Sequence, residues 1–407
     1  MDTYKELPIN IKIRLVGSFF SRISSSAILP FIALYLTEKT NTSFTGIYLS
    51  LVVVLNFFVN ILSGYICDRV SRKKMLVIIS VGESLSLFGL TLSVIFNDKN
   101  IFLIMFIIYM IMVSSKRPVL TALIQDSVSI ENKKIIYRLD YWFINLSMAL
   151  GAVLGGGLYN TYKVALFLGL FITTVCLTIV YFLFLEDTHM NNEAKDSKKI
   201  IFDFTSNYLE VFKNKRYICL LIGWMCIFTA EFSVSGYIAI RLMSTFQTIN
   251  VSGILIDGVR VFSIINLLNT IIIVLFTMKI GKMMEKFSIN NVLLIGLIIY
   301  SIGYIFLTSA NELWFIVLFS IIVAFGELIY APVLNTAELD LIPAQKRGVY
   351  SSVSSLKNTG ADLLSKIGII VGAMVSPIAM SFIMAVLVFV GSAFIIVSLY
   401  FKTNENS

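Results

Sequence analysis

Acidic side chains inside long apolar segments are the residues of this chain best suited to chemistry. Glu327 lies within one such segment, about 20 Å from one end if the segment is a helix that rises 1.5 Å per residue, and Asp140 opens another. Burial in a bilayer favours the protonated form of a carboxyl group, because an unpaired charge is costly there. Glu327 and Asp140, together with Asp126, are therefore candidate proton-coupling residues. The alternative is a structural ion pair, which for Glu327 would use Arg117 or Lys357.

A charged loop between the second and third apolar segments contains a glycine, an acid and bases at regular spacing: Gly64, Asp68, Arg69, Arg72 and Lys73. Gly64 would let two helices approach closely. Asp68 would face the positive N-terminus of a helix, and Arg69 would pair with Asp126. We interpret the loop as a gate that is latched in one conformation. The alternative is a basic loop that only sets the orientation of the chain in the membrane.

Further polar residues in apolar segments are candidates to line a substrate cavity: Arg22, Arg117, Glu231, Ser233, Glu327, Tyr330 and Lys357. The two arginines would bind an anion or tune a nearby acid. The alternative for Arg22, Lys116 and Arg117 is that each belongs to a satisfied ion pair.

The cysteine and histidine content argues against a metal site. All four cysteines lie in or beside apolar segments, and the single histidine, His189, lies in a loop. None has the spacing of zinc ligands, so we interpret the cysteines as small buried hydrophobic residues. The sequence has no Gly-x4-Gly-Lys-Ser/Thr motif, which argues against ATP as the energy source. No nucleophile with a neighbouring base is visible, so the sequence predicts neither an enzyme nor a cofactor.

Helices must position these residues. Hydrophobic residues make up 57% and charged residues 14% of the 407 residues, and the mean hydropathy is +0.88. A helix needs about 20 mostly apolar residues to cross a bilayer, and its backbone groups must be satisfied within the segment. The sequence therefore predicts an all-α membrane protein with twelve transmembrane helices, at 13–36, 43–66, 74–96, 101–125, 137–160, 164–185, 217–243, 258–279, 291–309, 313–336, 350–372 and 375–401.

The distribution of basic residues indicates the orientation of the chain. The net charge is +8, but 22 of the 32 lysines and arginines fall on the side of the membrane that carries the N-terminus and at most five on the other side. This asymmetry is typical of cytoplasmic loops, so we expect both termini in the cytoplasm of a multi-pass cell-membrane protein. The positive charge then gives no reason to expect a nucleic-acid partner.

The helices divide six and six around a polar insert. We expect an N-terminal six-helix bundle over 1–185, a cytoplasmic linker over 186–216 with an amphipathic helix at 199–213, and a C-terminal six-helix bundle over 217–407. The halves share two patterns. Gly-x3-Asp-Arg at Gly64 corresponds to Gly-x3-Glu-Lys at Gly281, and Pro-Val-Leu at Pro118 recurs at Pro332 with an aspartate eight residues later each time. Such repeats are typical of transporters built from two parallel halves.

These motifs resemble known families. The loop from Gly64 to Lys73 is similar to the signature of the major facilitator superfamily, and 139–155 with 326–332 resemble LmrP-type proton-coupled multidrug transporters. The resemblance implies proton coupling or gating at Asp68, Asp126, Asp140 and Glu327, and cationic-drug binding at Glu327. It departs at Ser233, which stands where that family has a third membrane acid. Glu231 is two positions away, about 200° around a helix, and is expected to point elsewhere.

The sequence thus predicts a proton-coupled exporter of amphipathic drugs or related small molecules that works by alternating access. One alternative is a dedicated exporter of an anionic metabolite or metallophore held by Arg22 and Arg117. A second alternative is a proton symporter for uptake. The expected partners are a small-molecule substrate, protons and membrane lipids, and we expect a monomer.

Overall fold

The computed structural model describes residues 9–67, 70–127, 133–186, 211–284, 286–342 and 347–400. Within these ranges most residues are helical, in the order α1 (Ile9–Ser26), α2 (Ile32–Lys39), α3 (Thr42–Cys67), α4 (Arg72–Ile95), α5 (Lys99–Ser127), α6 (Lys133–Leu158), α7 (Lys163–Phe184), α8 (Lys215–Ser233), α9 (Ala239–Thr245), α10 (Gly258–Met284), α11 (Ile289–Leu307), α12 (Leu313–Asp340), α13 (Arg347–Gly372) and α14 (Pro377–Tyr400). Two short strands, β1 (Ile249–Val251) and β2 (Ile254–Ile256), lie between α9 and α10.

These helices correspond to the twelve predicted segments, and the chain is an all-α membrane protein. Among the described residues, ten segments are long and apolar enough to cross a membrane. The two others are α6, whose apolar part is only Trp142–Leu158, and α13. Both carry charged side chains along their length, such as Asp140 in α6 and Lys357 in α13, which lowers their hydropathy.

The first and seventh segments are interrupted rather than continuous. In the first, α1 ends at Ser26 and a single 3-10 turn, Leu29–Phe31, leads into α2. Pro30 lies in this turn, and proline removes a backbone donor that an α-helix needs. In the seventh, a π-helical turn over Val234–Ile238 joins α8 to α9, and Gly236 has non-helical φ and ψ of −110° and −106°.

A β-hairpin that the sequence did not predict connects α9 to α10. Ile249 pairs with Ile256 in an antiparallel register. Ser252 and Gly253 form the turn with φ of 52° and 87°. Two consecutive residues with positive φ are the signature of the tight turn that matches strand twist.

The described residues fall into two compact units, one drawn from Met1–Ile32 and Leu51–Glu193 and the other from Ala33–Ser50 and Ala194–Ser407. The first part of α3 belongs to the second unit because it packs against α13. A Cβ on Gly46 would lie 3.1 Å from the amide nitrogen of Ile370. Most of the predicted amphipathic linker helix, 199–213, lies outside the described residues.

The first unit is held together by close contact between α1 and α6. A Cβ on Gly151 would lie 2.5 Å from Cβ of Ser26 and 2.7 Å from the carbonyl oxygen of Ile23. One turn later, a Cβ on Gly155 would lie similarly close to the ring of Phe31. The Gly-x3-Gly spacing therefore permits the helix contact that small residues make in membranes.

Cysteine burial differs from the sequence interpretation at one position. All four cysteines are free; Cys67 and Cys226 are buried and Cys219 is partly buried, but Cys176 on α7 is exposed. An exposed position on an apolar helix is compatible with contact to lipid, so burial in protein is not needed to explain this cysteine.

Candidate functional site

Two acids from different helices of the second unit come together. Glu231 on α8 and Glu327 on α12 are both partly buried, and their carboxylates interact electrostatically. Asn269 on α10 donates from its amide nitrogen to Oε2 of Glu327 at 2.9 Å. Ser233 is buried and donates its hydroxyl to the carbonyl oxygen of Ala230 at 2.6 Å. The acid of α8 that lies near Glu327 is therefore Glu231, although its offset from Ser233 had suggested another direction.

Three tyrosines surround this pair of acids. Tyr300 and Tyr304 on α11 and Tyr330 on α12 are buried, and each interacts electrostatically with both Glu231 and Glu327. The ring of Tyr300 lies 5.0 Å from that of Tyr330 and 4.7 Å from that of Tyr304. The hydroxyl of Tyr330 is buried and makes no hydrogen bond of normal geometry with the described residues. The pair of acids thus lies against a group of three buried tyrosines.

Lys357 does not pair with Glu327, and that alternative from the sequence is wrong. Its ammonium group donates to Oε2 of Glu338, whose Oε1 accepts from Ser354. The same ammonium lies 4.8 Å from the ring centroid of Trp224 on α8. Lys357 is therefore engaged with partners on two other helices, α8 and α12, and its positive charge is neutralised at Glu338.

In the first unit, Asp140 forms an ion pair. The Nη1 and Nη2 atoms of Arg14 on α1 donate to the two oxygens of Asp140 at 3.1 and 3.5 Å. Arg22, two turns further along α1, is partly buried and interacts electrostatically with Asp140, Arg14 and Arg117. Three guanidinium groups on α1 and α5 thus share one described carboxylate.

Lys116 and Arg117 are neighbours in sequence but have different environments. Lys116 is 7% exposed and donates to Oε2 of Glu83 on α4 at 2.7 Å. The ring of Tyr181 lies 5.5 Å from the same ammonium group. Arg117 is exposed and forms no ion pair with an acid whose side chain is described. The ion-pair interpretation therefore holds for Lys116 and not for Arg117.

The predicted gate is only partly described. Asp68 and Arg69 lie outside the described residues, and the side chain of Asp126 does as well. Arg72 opens α4 and donates to Sγ of Cys67 at 3.3 Å, and Lys73 follows it. A Cβ on Gly64 would meet no described atom within 4 Å. The close helix contact proposed for Gly64 is therefore absent from this part of the structure.

Two partners of these charged residues were not predicted from the sequence. Asn269 orients Glu327, and Glu338 binds Lys357. The signal for Asn269 was a polar amide within the apolar stretch of α10. The signal for Glu338 was its offset of eleven residues from Glu327, which places both acids on one face of a helix, about three turns apart.

The paired acids have a limited chemical repertoire. Among the described residues no group of three His, Cys, Asp or Glu side chains is placed to hold a metal ion. Two carboxylates and an amide can instead hold a proton or a weakly bound cation by oxygen atoms. Both functions suit a membrane protein that couples one flux to another.

Comparison with known proteins shows the family. The family model of the Major Facilitator Superfamily matches residues 14–361. A Na(+), Li(+), K(+)/H(+) antiporter of Planococcus maritimus is 22% identical over 385 residues, which cover 91% of this chain and 88% of that protein. The uncharacterized MFS-type transporter YqjV of Bacillus subtilis (strain 168) is 22% identical, with 93% of this chain and 88% of that protein covered.

Solved structures share the fold. A POT family transporter in complex with 5-aminolevulinic acid has a TM-score of 0.74 at 16% identity, with 97% of this chain and 96% of that chain covered. The nucleoside transporter NupG has a TM-score of 0.69 at 13% identity, with 96% of this chain and 100% of that chain covered. The chain therefore belongs to the major facilitator superfamily and is a multi-pass membrane transporter rather than an enzyme.

Proposed function

We propose that this transporter is a proton-coupled antiporter that exports amphipathic small molecules, including drugs, across the cell membrane. The observation that carries the proposal is the pair Glu231 and Glu327, whose carboxylates interact inside the second unit. Two like charges in a medium of low dielectric constant repel each other strongly. A bound proton relieves this repulsion, so binding and release of a proton would change the stability of the local structure.

The surroundings of the pair support a proton that is bound for part of the cycle. The amide nitrogen of Asn269 donates to Glu327 at 2.9 Å, and this neutral partner brings no positive charge to the carboxyl group. The neighbouring tyrosines are buried and bring no positive charge either. Asp140 is a weaker candidate, because its charge is already compensated by Arg14.

The resemblance to LmrP-type transporters and the similarity to a protein named as an antiporter support the same proposal. Under alternating access, protonation of Glu327 would favour one conformation and substrate the other. The loop that contains Gly64, Asp68, Arg69, Arg72 and Lys73 would act as the gate, with Asp126 as the partner of Arg69.

Glu327→Gln tests the proposal, because glutamine mimics a permanently protonated carboxyl group. In proteoliposomes with an imposed pH gradient, we expect the variant to lose gradient-driven export of a fluorescent amphipathic dye and to retain downhill exchange, which needs no net proton movement. The matched control is Glu312→Gln, which removes an exposed acid just before the same helix. Normal gradient-driven export by Glu327→Gln would refute proton coupling through this residue.

A second candidate function is exchange of an alkali cation for protons. The name of the Planococcus relative favours it, and so do the three side-chain oxygen groups of Glu231, Glu327 and Asn269. Cations of this class bind oxygen ligands. The same proteoliposomes distinguish the two functions, because only cation exchange would collapse a pH gradient on addition of Na⁺, Li⁺ or K⁺ without any organic substrate.

A further inference from the structure

The first unit contains more positive charge inside its helices than its described acids compensate. Arg14, Ser18 and Arg22 are spaced by four residues and lie on one face of α1. Arg22 interacts electrostatically with Arg14, with Asp140 and with Arg117 on α5. The cluster therefore contains three guanidinium groups and one described carboxylate.

The single carboxylate is already occupied. Asp140 accepts from both terminal nitrogens of Arg14 at 3.1 and 3.5 Å, with side-chain exposures of only 16% and 13%. Glu83, the other described acid inside the helices of this unit, lies 2.7 Å from the ammonium of Lys116. Neither Arg22 nor Arg117 forms an ion pair with an acid whose side chain the structure describes.

The location of Arg117 indicates that it faces water or a ligand. It lies four residues before Thr121, where the apolar part of α5 ends, which is about 6 Å along a helix. Near the end of a membrane segment a charged side chain faces the protein interior, a water-filled cavity or the polar interface rather than lipid. Lys116 points into the helical bundle, whereas Arg117 is exposed. The charge of Arg117 is thus accessible, and it interacts electrostatically with Arg22 on α1.

Aromatic rings lie beside this cluster. The rings of Phe19 on α1 and Phe143 on α6 are 5.2 Å apart, and Trp142 packs on Phe143 at 5.8 Å. Phe19 lies three residues before Arg22, and Phe143 lies three residues after Asp140, so each ring shares a helix face with a charged group of the cluster. Charged arginines next to aromatic rings suit a ligand with an anionic group and a flat apolar body.

We propose that Arg22 and Arg117 bind the carboxylate of an aromatic organic acid, with the Arg14–Asp140 ion pair fixed beside it. A carboxylate is the group that Arg14 already binds through two nitrogens, and a guanidinium matches its planar geometry. One bound monoanion reduces the uncompensated charge of the cluster from two to one. The inference rests on the proposed export function, and it specifies the class of the exported molecule as aromatic carboxylates.

Equilibrium binding tests the site without any gradient. The probe is 1-naphthaleneacetate, and its neutral partner is 1-naphthaleneacetamide, which has the same ring and nearly the same shape. In equilibrium dialysis with the full chain in nanodiscs, we expect at least about tenfold tighter binding of the carboxylate. The preference should weaken at high salt, because charge attraction is screened. Equal binding of the two probes, or no binding of the carboxylate, would overturn the proposal.

Variants locate the site. Arg22→Gln and Arg117→Gln should each weaken carboxylate binding by about tenfold and leave amide binding unchanged. Lys99→Gln, which removes the same charge from the exposed start of α5, should bind both probes as the original protein does. Arg22→Lys and Arg117→Lys keep the charge, so they should bind the carboxylate more tightly than the glutamine variants do. They replace the glutamine variants in this test if those variants fold poorly. Unchanged carboxylate affinity in the arginine variants would place the site elsewhere.

The same measurement separates this proposal from proton coupling. Normal carboxylate binding without proton-driven flux in the original protein would refute the export function and retain the arginine site. Proton-driven dye export without a carboxylate preference would refute the arginine site and retain the export function.

Discussion

Three ion pairs between helices neutralise charges inside the described helices of this transporter: Arg14–Asp140, Glu83–Lys116 and Glu338–Lys357. Glu83 and Lys116 are the clearest case, because their side chains are 5% and 9% exposed and their charged atoms are 2.7 Å apart. Such a pair adds little net stability relative to well-packed apolar residues, but removal of one partner leaves a buried charge without compensation. Two consequences can be measured, one for the variant that lacks Lys116 and one for the double variant.

Lys116→Met should lower the free energy of unfolding in detergent by about 3–5 kcal/mol, because Glu83 is left buried without a partner. The double variant Glu83→Leu with Lys116→Met should recover much of this loss. The matched control is Lys366→Met, which breaks the pair of Lys366 with Asp362 one turn apart on α13. Asp362 is 40% exposed, so this change should cost at most about 1 kcal/mol. Equal losses at Lys116 and Lys366 would contradict the argument.

The sequence predicted which residues carry charge inside apolar segments, but not how they pair. Lys357 was assigned either to a substrate cavity or to Glu327, and it binds Glu338 instead. Glu338 lies beyond the predicted tenth segment, 313–336, whereas α12 continues to Asp340. The choice of partner depends on helix length and rotation, and these are set by packing that hydropathy does not report.

Close backbone approach is the main feature at the scale of helices. Gly151 on α6 lies against Ser26 and the backbone of Ile23 on α1, whereas Gly157 on the same helix has open space. Van der Waals packing drives helix association in membranes, so a side chain at the first position should separate the two helices.

Gly151→Ala should lower the melting temperature, because its Cβ would lie 2.5 Å from Cβ of Ser26 and 2.7 Å from the carbonyl oxygen of Ile23. Overpacking of this kind costs about 1–3 kcal/mol. Gly157→Ala places the same methyl group where nothing lies within 4 Å. It should be neutral or slightly stabilising, because alanine is the better helix former. A larger fall in melting temperature for Gly157→Ala than for Gly151→Ala would show that the α1–α6 contact does not limit stability.

Helix positions were easier to predict than helix interruptions. Pro30 breaks the first segment into α1 and α2, yet Pro118 and Pro332 lie inside continuous helices. Neighbouring helices and hydroxyl side chains can satisfy the backbone groups that proline frees in a membrane helix. Which outcome occurs depends on these neighbours and not on the proline alone.

At the scale of the whole molecule, α5 and α12 support a chain built from two related halves. Pro118 and Pro332 are each the twentieth residue of their helix, and the helices have 29 and 28 residues. Hydropathy was sufficient to predict the fold class, because backbone hydrogen bonding leaves few structures that can span a bilayer. The orientation of the chain is a separate question, and it rests on charge alone.

The basic residues predict that Lys199 and Lys346, both outside the described residues, are cytoplasmic and that Lys99 at the start of α5 is extracellular. Single cysteines at these positions test the orientation in a background where Cys67, Cys176, Cys219 and Cys226 are alanine. An impermeant maleimide should label intact cells at position 99 only, and all three positions after permeabilisation. The background protein controls for nonspecific labelling, and retained transport by each variant controls for folding.

Labelling at 199 and 346 but not at 99 in intact cells would show that the topology is the inverse of the predicted one. The wild-type charge asymmetry, 22 basic residues against at most five, would then require an explanation other than the positive-inside rule.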